Sequence, residues 1–254
     1  FSSSLLDQLR VQILLQGNLK KSTAEEVVEC VLNNLNCRKI EENQRFESRA
    51  AKLPQGTHVL KVKSILPNDK NSTTTNYIQI GSSSIRLQCL IEIVEKIMEE
   101  PLFDILRTQE QLGYSVSGSH RFNFGILGLS ITVQSQEEKN PTKIVDTRIE
   151  RFLKENLLKI LEDLSDDEFV TIQNALIKLK NMVEVELDSE VGRNWSEIVS
   201  KEYHFNRLEL EAEMIARITK EEVVDFYKTK ILDENAKKLS IQIIGPGDAE
   251  EVKD

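Results

Sequence analysis

Cysteine is scarce in this 254-residue chain. Cys30, Cys37 and Cys89 are an odd count without a C-x-x-C pair, which excludes a disulfide framework and a thiolate zinc site. A reducing, cytoplasmic setting is the expectation that follows. Histidine is equally scarce: His58, His120 and His204 stand apart, and none has a second histidine one helical turn away to aim two imidazoles at one ion. This chain is therefore expected to hold no metal through its own side chains. No apolar run approaches the roughly 20 residues that span a bilayer, so no membrane segment is expected. Excess positive charge is missing too: 33 Lys and Arg against 42 Asp and Glu give a net charge of −9, which excludes a general affinity for nucleic acid or anionic membranes and favours basic peptides. Glycine-rich phosphate loops are absent, and Gly245-Pro246-Gly247 reads as a terminal turn. The start, Phe1-Ser2-Ser3-Ser4, has neither an initiator Met nor a signal pattern and is read as the edge of a piece of a longer protein.

The chain is 39% hydrophobic and 30% charged, as expected of a globular protein with a sizeable core. Residues 10 to 16 read as a strand closed by Gly17-Asn18. A helix then carries Val27, Val28, Val31, Leu32 and Leu35, with capping-box spacing at Ser22 and Glu25 or Thr23 and Glu26. A polar connector follows, ending at Pro54-Gln55-Gly56. Strands are expected at 58–64, with Leu60 and Val62 on one face, and at 76–80. The helical period of 85–98 predicts a helix stopped by Pro101, which opens a second helix through Leu112 with Gly113 as its C-terminal cap.

The clearest alternation, Leu127, Leu129, Ile131 and Val133 within 126–134, predicts a strand with one buried face. Helices follow at about 141–161 and from Ser165, capped by Glu168. A third carries Val191, Trp195, Ile198 and Val199, with Trp195 expected in the core, a fourth Leu208, Ala212 and Ile215, and a fifth is capped by Thr219 and Glu222. A last strand, 237–245, is expected to turn Leu239, Ile241 and Ile243 inward. This order cannot make an alternating parallel sheet, so the fold class is α+β. Read residue by residue, no catalytic centre stands out.

Met98 to Tyr114, MEEPLFDILRTQEQLGY, is distinctive. With its E-P-x-F-x-x-L-R-T run and the following Glu110-Gln111-Leu112-Gly113-Tyr114, it resembles the C-terminal half of the pitrilysin family of zinc metallopeptidases. Leu15-Gln16-Gly17-Asn18, Gly125-Ile126-Leu127-Gly128 and Leu239-Ser240-Ile241 extend the likeness over nearly the whole chain, and Ala175 to Lys180 with Arg193-Asn194-Trp195 resembles the nardilysin type more than the insulin-degrading type.

The resemblance implies an antiparallel-rich α+β sheet with helices packed on one face. It implies the end of a third domain at 1–45, a linker at 46–56, a fourth domain at 57–247 and a tail at 248–254. Zinc would belong to the other half of a longer enzyme, with no cofactor in this part, so this chain alone is expected to be inactive. The partners it implies are peptides, preferably basic ones, and the zinc-bearing N-terminal half of the same protein. Arg107 and Tyr114 match the family's R-x-x-x-x-x-x-Y element and would bind substrate, with Tyr114 also donating to the transition state. The alternative reading is a non-catalytic scaffold or interaction subunit of the same fold.

Overall fold

The computed structural model describes residues 4, 6–66 and 69–245. The expected terminal turn past Gly245, the tail 248–254 and Phe1 to Ser3 lie outside these. The described residues group into two compact units: residues up to 49 with 183–205, and residues 50–182 with those from 206 onward.

The larger unit is built on a five-stranded sheet. Its strands are β1 (Gly56–Lys63), β2 (Asn71–Ser82), β3 (Ser115–Asn123), β4 (Ile126–Gln136) and β5 (Lys237–Ile244), in the order β1-β5-β2-β4-β3. Only β1 and β5 run parallel; the other three pairings are antiparallel. The fold is thus α+β with an antiparallel-rich sheet, as expected. The registers Ile78 with Leu129 and Asn76 with Ile131 align the buried positions of β2 and β4 on one face. There α1 (Ile85–Leu102) packs on β3 while α2 (Thr142–Arg151) crosses β2, β4 and β5. The helices α3 (Leu158–Asp163), α4 (Asp166–Lys180), α5 (Arg207–Ile215) and α6 (Lys220–Phe226) complete the layer. Ser165 with Glu168, and Thr219 with Glu222, form the two expected capping boxes of α4 and α6.

Pro101 does not stop the first helix; it lies inside α1, which runs on into a π-helical segment, Phe103–Gln109. Proline cannot donate to the carbonyl four residues back, yet the helix continues past it and then widens to i→i+5 bonds, as from Glu110 N–H to Ile105 O at 2.9 Å. Two further helices widen in the same way, at Phe152–Leu157 and Tyr227–Ile231, and the buried Tyr227 hydroxyl in one donates to the Leu153 carbonyl in the other at 2.8 Å.

The last strand faces opposite to expectation. Lys238, Ser240 and Gln242 point to the helices and are buried, whereas Leu239, Ile241 and Ile243 lie on the open face. The cause is a polar interlayer: Lys238 Nζ pairs with Glu150 at 3.0 Å and Ser240 Oγ donates to Asp146 at 2.7 Å, so α2 supplies acceptors that a hydrophobic count does not register. Leu60 and Val62 sit beside Ile241 and Ile243 in the parallel ladder, on the open face, and are about half exposed.

An ion network ties α1, α4 and α5 together. Lys180 Nζ lies 2.7 Å from Glu92 and 2.8 Å from the fully buried Glu211, and Arg207 approaches Glu211 from one turn earlier at 3.7 Å. Burial works against the Lys180 ammonium, but hydrogen bonds to Glu211 and Glu92 outweigh it and raise its pKa. The neighbouring Cys89 thiol is pushed up to about 12, by burial first and then by Glu211 and Glu92, which makes it unreactive.

At the sheet edge His120 Nδ1 meets Glu95 Oε2 at 2.7 Å. That bond raises the histidine's pKa against the opposing effect of burial, with Glu95 and Glu92 charges helping and Lys180 opposing. A raised folded-state pKa means the pair stabilises the fold at pH below the ordinary histidine value of about 6.5 and loses that contribution as pH rises through the raised value. The thermal midpoint of His120→Gln is therefore expected to fall below that of the unmodified chain at pH 6 and to converge on it by pH 9. A gap that stays constant across that range would show that the pair does not titrate as argued.

The smaller unit contains the helices Lys21–Leu35 and Leu187–Ser200 and a parallel pairing of Gln8–Leu9 with Arg38–Lys39. The expected strand at 10–16 forms no ladder with any described residue. The first helix starts after Lys20 with no side-chain cap, so neither expected capping box forms. Trp195 is 41% exposed rather than core, and Glu197 is the buried residue of its helix. Asn194 Nδ2 donates to Gln16 at 2.8 Å, Lys201 pairs with Glu47 at 2.8 Å, and Arg193 meets Glu184 through two nitrogens.

Candidate functional site

Arg107 occupies the end of the π-helical segment, and Tyr114 directly precedes β3. The chain between them is a tight turn with a defined exit. Leu112 is buried and its N–H reaches the Leu106 carbonyl at 3.0 Å, while Gln111 takes the left-handed conformation at φ 53°. The expected cap at Gly113 is thus replaced by Gln111. Gly113 serves a different need, close approach: a Cβ there would lie 2.0 Å from the Gln134 carbonyl oxygen of β4. That oxygen also receives the Tyr114 N–H at 3.1 Å, so the missing side chain is what lets the strand begin at Tyr114. Gly113→Ala is expected to push the backbone off β4, lowering both the thermal midpoint and any activity that depends on Tyr114. Unchanged melting and turnover in the full-length parent would contradict this.

The Arg107 side chain is tied to the Tyr114 backbone. Arg107 Nε donates to the Tyr114 backbone carbonyl at 3.2 Å, and the guanidinium carbon sits 4.8 Å from the centre of the Phe103 ring, one turn earlier. Fixed by this hydrogen bond and a cation–π contact, the guanidinium keeps its terminal nitrogens without a hydrogen-bond or ion-pair partner among the described residues. Arg107 is exposed and Tyr114 is 56% exposed, and the phenol likewise has no partner there. An exposed guanidinium fork and an exposed phenol, linked through the Tyr114 backbone, each offer hydrogen-bond donors to a carbonyl-rich ligand.

The rest of the turn is held from the side. Glu110 lies 3.6 Å from Arg148, an ion pair without a hydrogen bond. Asn140 Nδ2 donates to both the Gln111 and Leu112 carbonyls, at 3.0 and 2.9 Å. Sequence reasoning missed Asn140, because an Asn-Pro pair signals only a turn and says nothing about a loop 28 residues earlier. The stack of Phe103 under Arg107 was also missed, although its i, i+4 spacing on a helix is a usable signal.

Among the described residues no three His, Cys, Asp or Glu side chains converge as a metal site requires. His58 Nε2 lies 3.3 Å from the Gln55 carbonyl oxygen, and His120 is bonded to Glu95. The described residues therefore offer no ligand set for a zinc ion. Cys30 is exposed, Cys37 half-buried and Cys89 buried, all unpaired, and no described helix is long and apolar enough to cross a membrane.

Fold and site together define an α+β domain that offers hydrogen-bond donors at one end of its sheet and gathers no metal-binding cluster among its described residues. The chain belongs to the family described as the peptidase M16 inactive domain, whose model matches residues 1–176. It is 38% identical over 247 residues to nardilysin of Homo sapiens, covering 97% of this chain and 21% of that protein. To insulin-degrading enzyme of Homo sapiens it is 32% identical over 234 residues, covering 90% of this chain and 22% of that protein. The crystal structure of pitrilysin matches the fold with a TM-score of 0.78 at 20% identity, over 94% of this chain and 25% of that one. The likeness read from Met98 to Tyr114 is thus a membership, and the chain spans about a fifth of the curated relatives it matches.

Proposed function

We propose that this chain is the C-terminal, substrate-binding part of a zinc metalloendopeptidase that hydrolyses peptides inside a closed chamber, with zinc held by the N-terminal half of the same parent. The domain limits that go with this reading are those implied by the resemblance: 1–45, 46–56, 57–247 and 248–254. The observation that carries it is the hydrogen bond from Arg107 Nε to the Tyr114 backbone carbonyl, with both side chains exposed, in a chain of this family. Arg107 would grip a peptide carbonyl with its fork of donors, and the Tyr114 hydroxyl would donate to the substrate oxygen on which negative charge develops during hydrolysis. The net charge of −9 agrees in sign with a preference for basic peptides. A cytoplasmic setting accords with three unpaired cysteines.

The test compares parent and part. The purified chain is expected to retain no stoichiometric zinc after dialysis and to leave a dibasic peptide intact, while the full-length parent cleaves that peptide and loses activity to a chelator. One zinc per isolated chain, lost on replacing His120 or His204, would sink the division of labour. A parent whose upstream sequence lacks H-x-x-E-H and that cleaves nothing would instead be the scaffold.

A further inference from the structure

We propose that Asn140 is a positioning residue for the Arg107 and Tyr114 site, an inference that rests on the function proposed above. The two exposed side chains are useful only if the turn between them keeps one shape, and that turn has few anchors of its own. It leaves a widened helix whose last carbonyls lack the usual i→i+4 partners, and it passes through a left-handed Gln111. Leu112 anchors it from below by burial. From the side, beside the Glu110–Arg148 ion pair, one carboxamide makes the hydrogen bonds: Asn140 Nδ2 donates to the carbonyls of Gln111 and Leu112, the two residues immediately before Gly113 and Tyr114. Two carbonyl acceptors require the NH2 end of the amide, so the orientation of this side chain follows from its partners.

Asn140 is itself fixed to the sheet. Its N–H reaches the Gln136 carbonyl at 2.8 Å, and its own carbonyl accepts from the hydroxyl of the buried Ser135 at 3.1 Å. Ser135 directly follows Gln134, the residue whose carbonyl receives the Tyr114 N–H and leaves no room for a Cβ at Gly113. The end of β4 therefore holds Tyr114 twice: directly through Gln134, and through the loop by way of Ser135 and Asn140. The Tyr114 carbonyl in turn receives Arg107 Nε, so a shift of this turn moves both donors together. Asn140 is not placed to touch substrate in this role; it acts through Tyr114.

The experiment uses the full-length parent on a dibasic peptide, with Asn140→Ala, Asn140→Asp, Tyr114→Phe and the double variant Asn140→Ala with Tyr114→Phe. Asn140→Asp keeps the size but turns an oxygen toward two carbonyls, so it is the harsher change; Asn140→Ala remains as the variant that folds if the aspartate does not. Asn140→Ala is expected to lower kcat about tenfold to a hundredfold, the scale of a small displacement of a reacting group. KM should change less than kcat, the thermal midpoint should move little, and hydrogen exchange of a peptide covering 107–116 should quicken. In the Tyr114→Phe background Asn140→Ala should lower kcat clearly less than it does alone, because the hydroxyl it positions is already gone and only the displacement of Arg107 remains. If Tyr114→Phe is impaired but Asn140→Ala turns over normally, or if the two losses multiply, the positioning role is overturned and the Tyr114 assignment stands. If Tyr114→Phe itself turns over normally, the proposed function fails, and this inference fails with it.

Discussion

Tyr114→Phe in the full-length parent is expected to lower kcat by about 10² to 10³, the scale of removing one oxyanion donor, with little effect on folding. The phenol is half exposed and has no described partner, so removing its oxygen breaks no internal hydrogen bond. Arg107→Ala is expected to act differently. The guanidinium can hold a ground-state carbonyl as well as the transition state, so KM should rise along with the fall in kcat. It also releases the Tyr114 carbonyl and uncovers the Phe103 ring, so a modest fall in thermal midpoint should accompany it. Steady-state kinetics on a dibasic peptide separate the two roles, and near-normal turnover in both variants would refute the site without touching the fold.

The largest effect on stability is expected at Lys180, far from this chemistry. Lys180→Met leaves Glu92 and Glu211 facing one another in the helical layer, with Glu211 only 1% exposed. Breaking a buried ion pair from one side costs about 3–5 kcal/mol when the remaining charge is uncompensated, and Arg207, which stays 3.7 Å from Glu211, holds the cost toward the lower end. The midpoint of thermal unfolding should therefore drop by on the order of 10 °C. Neutralising the partners in the same chain, with Lys180→Met, Glu92→Gln and Glu211→Gln together, should recover most of it. A single variant within about 1 kcal/mol of the parent in urea unfolding would mean that water reaches the cluster and screens it.

The strands and helices of the larger unit were legible where one physical signal dominated. Leu127 to Val133 alternate without interruption and form the inner strand β4, and the serine and threonine caps at 165 and 219 formed with the glutamates three residues on. Legibility failed where tertiary partners compete with the local signal. β5 forms where alternation predicts a strand but with the opposite face inward, since the acceptors that bury Lys238 and Ser240 come from α2, some ninety residues earlier. Pro101 is no boundary because the proline rule concerns an isolated helix, whereas α1 is held by the core it packs on.

The site divides in the same way. The identities of Arg107, Tyr114 and Gly113, their spacing, the lack of paired histidines and the negative charge are properties of the sequence by itself. They were enough to set the family, the fold class and the two side chains to examine. Only the tertiary structure decided that Arg107 reaches the Tyr114 carbonyl, that Gly113 yields its space to Gln134, and that Asn140 holds the turn from outside. The physical reason is range. Periodicity, capping and charge act over one or two turns and are written in neighbouring residues, whereas a hydrogen bond between residues 28 apart exists only after β4 and the loop that follows it have brought them together.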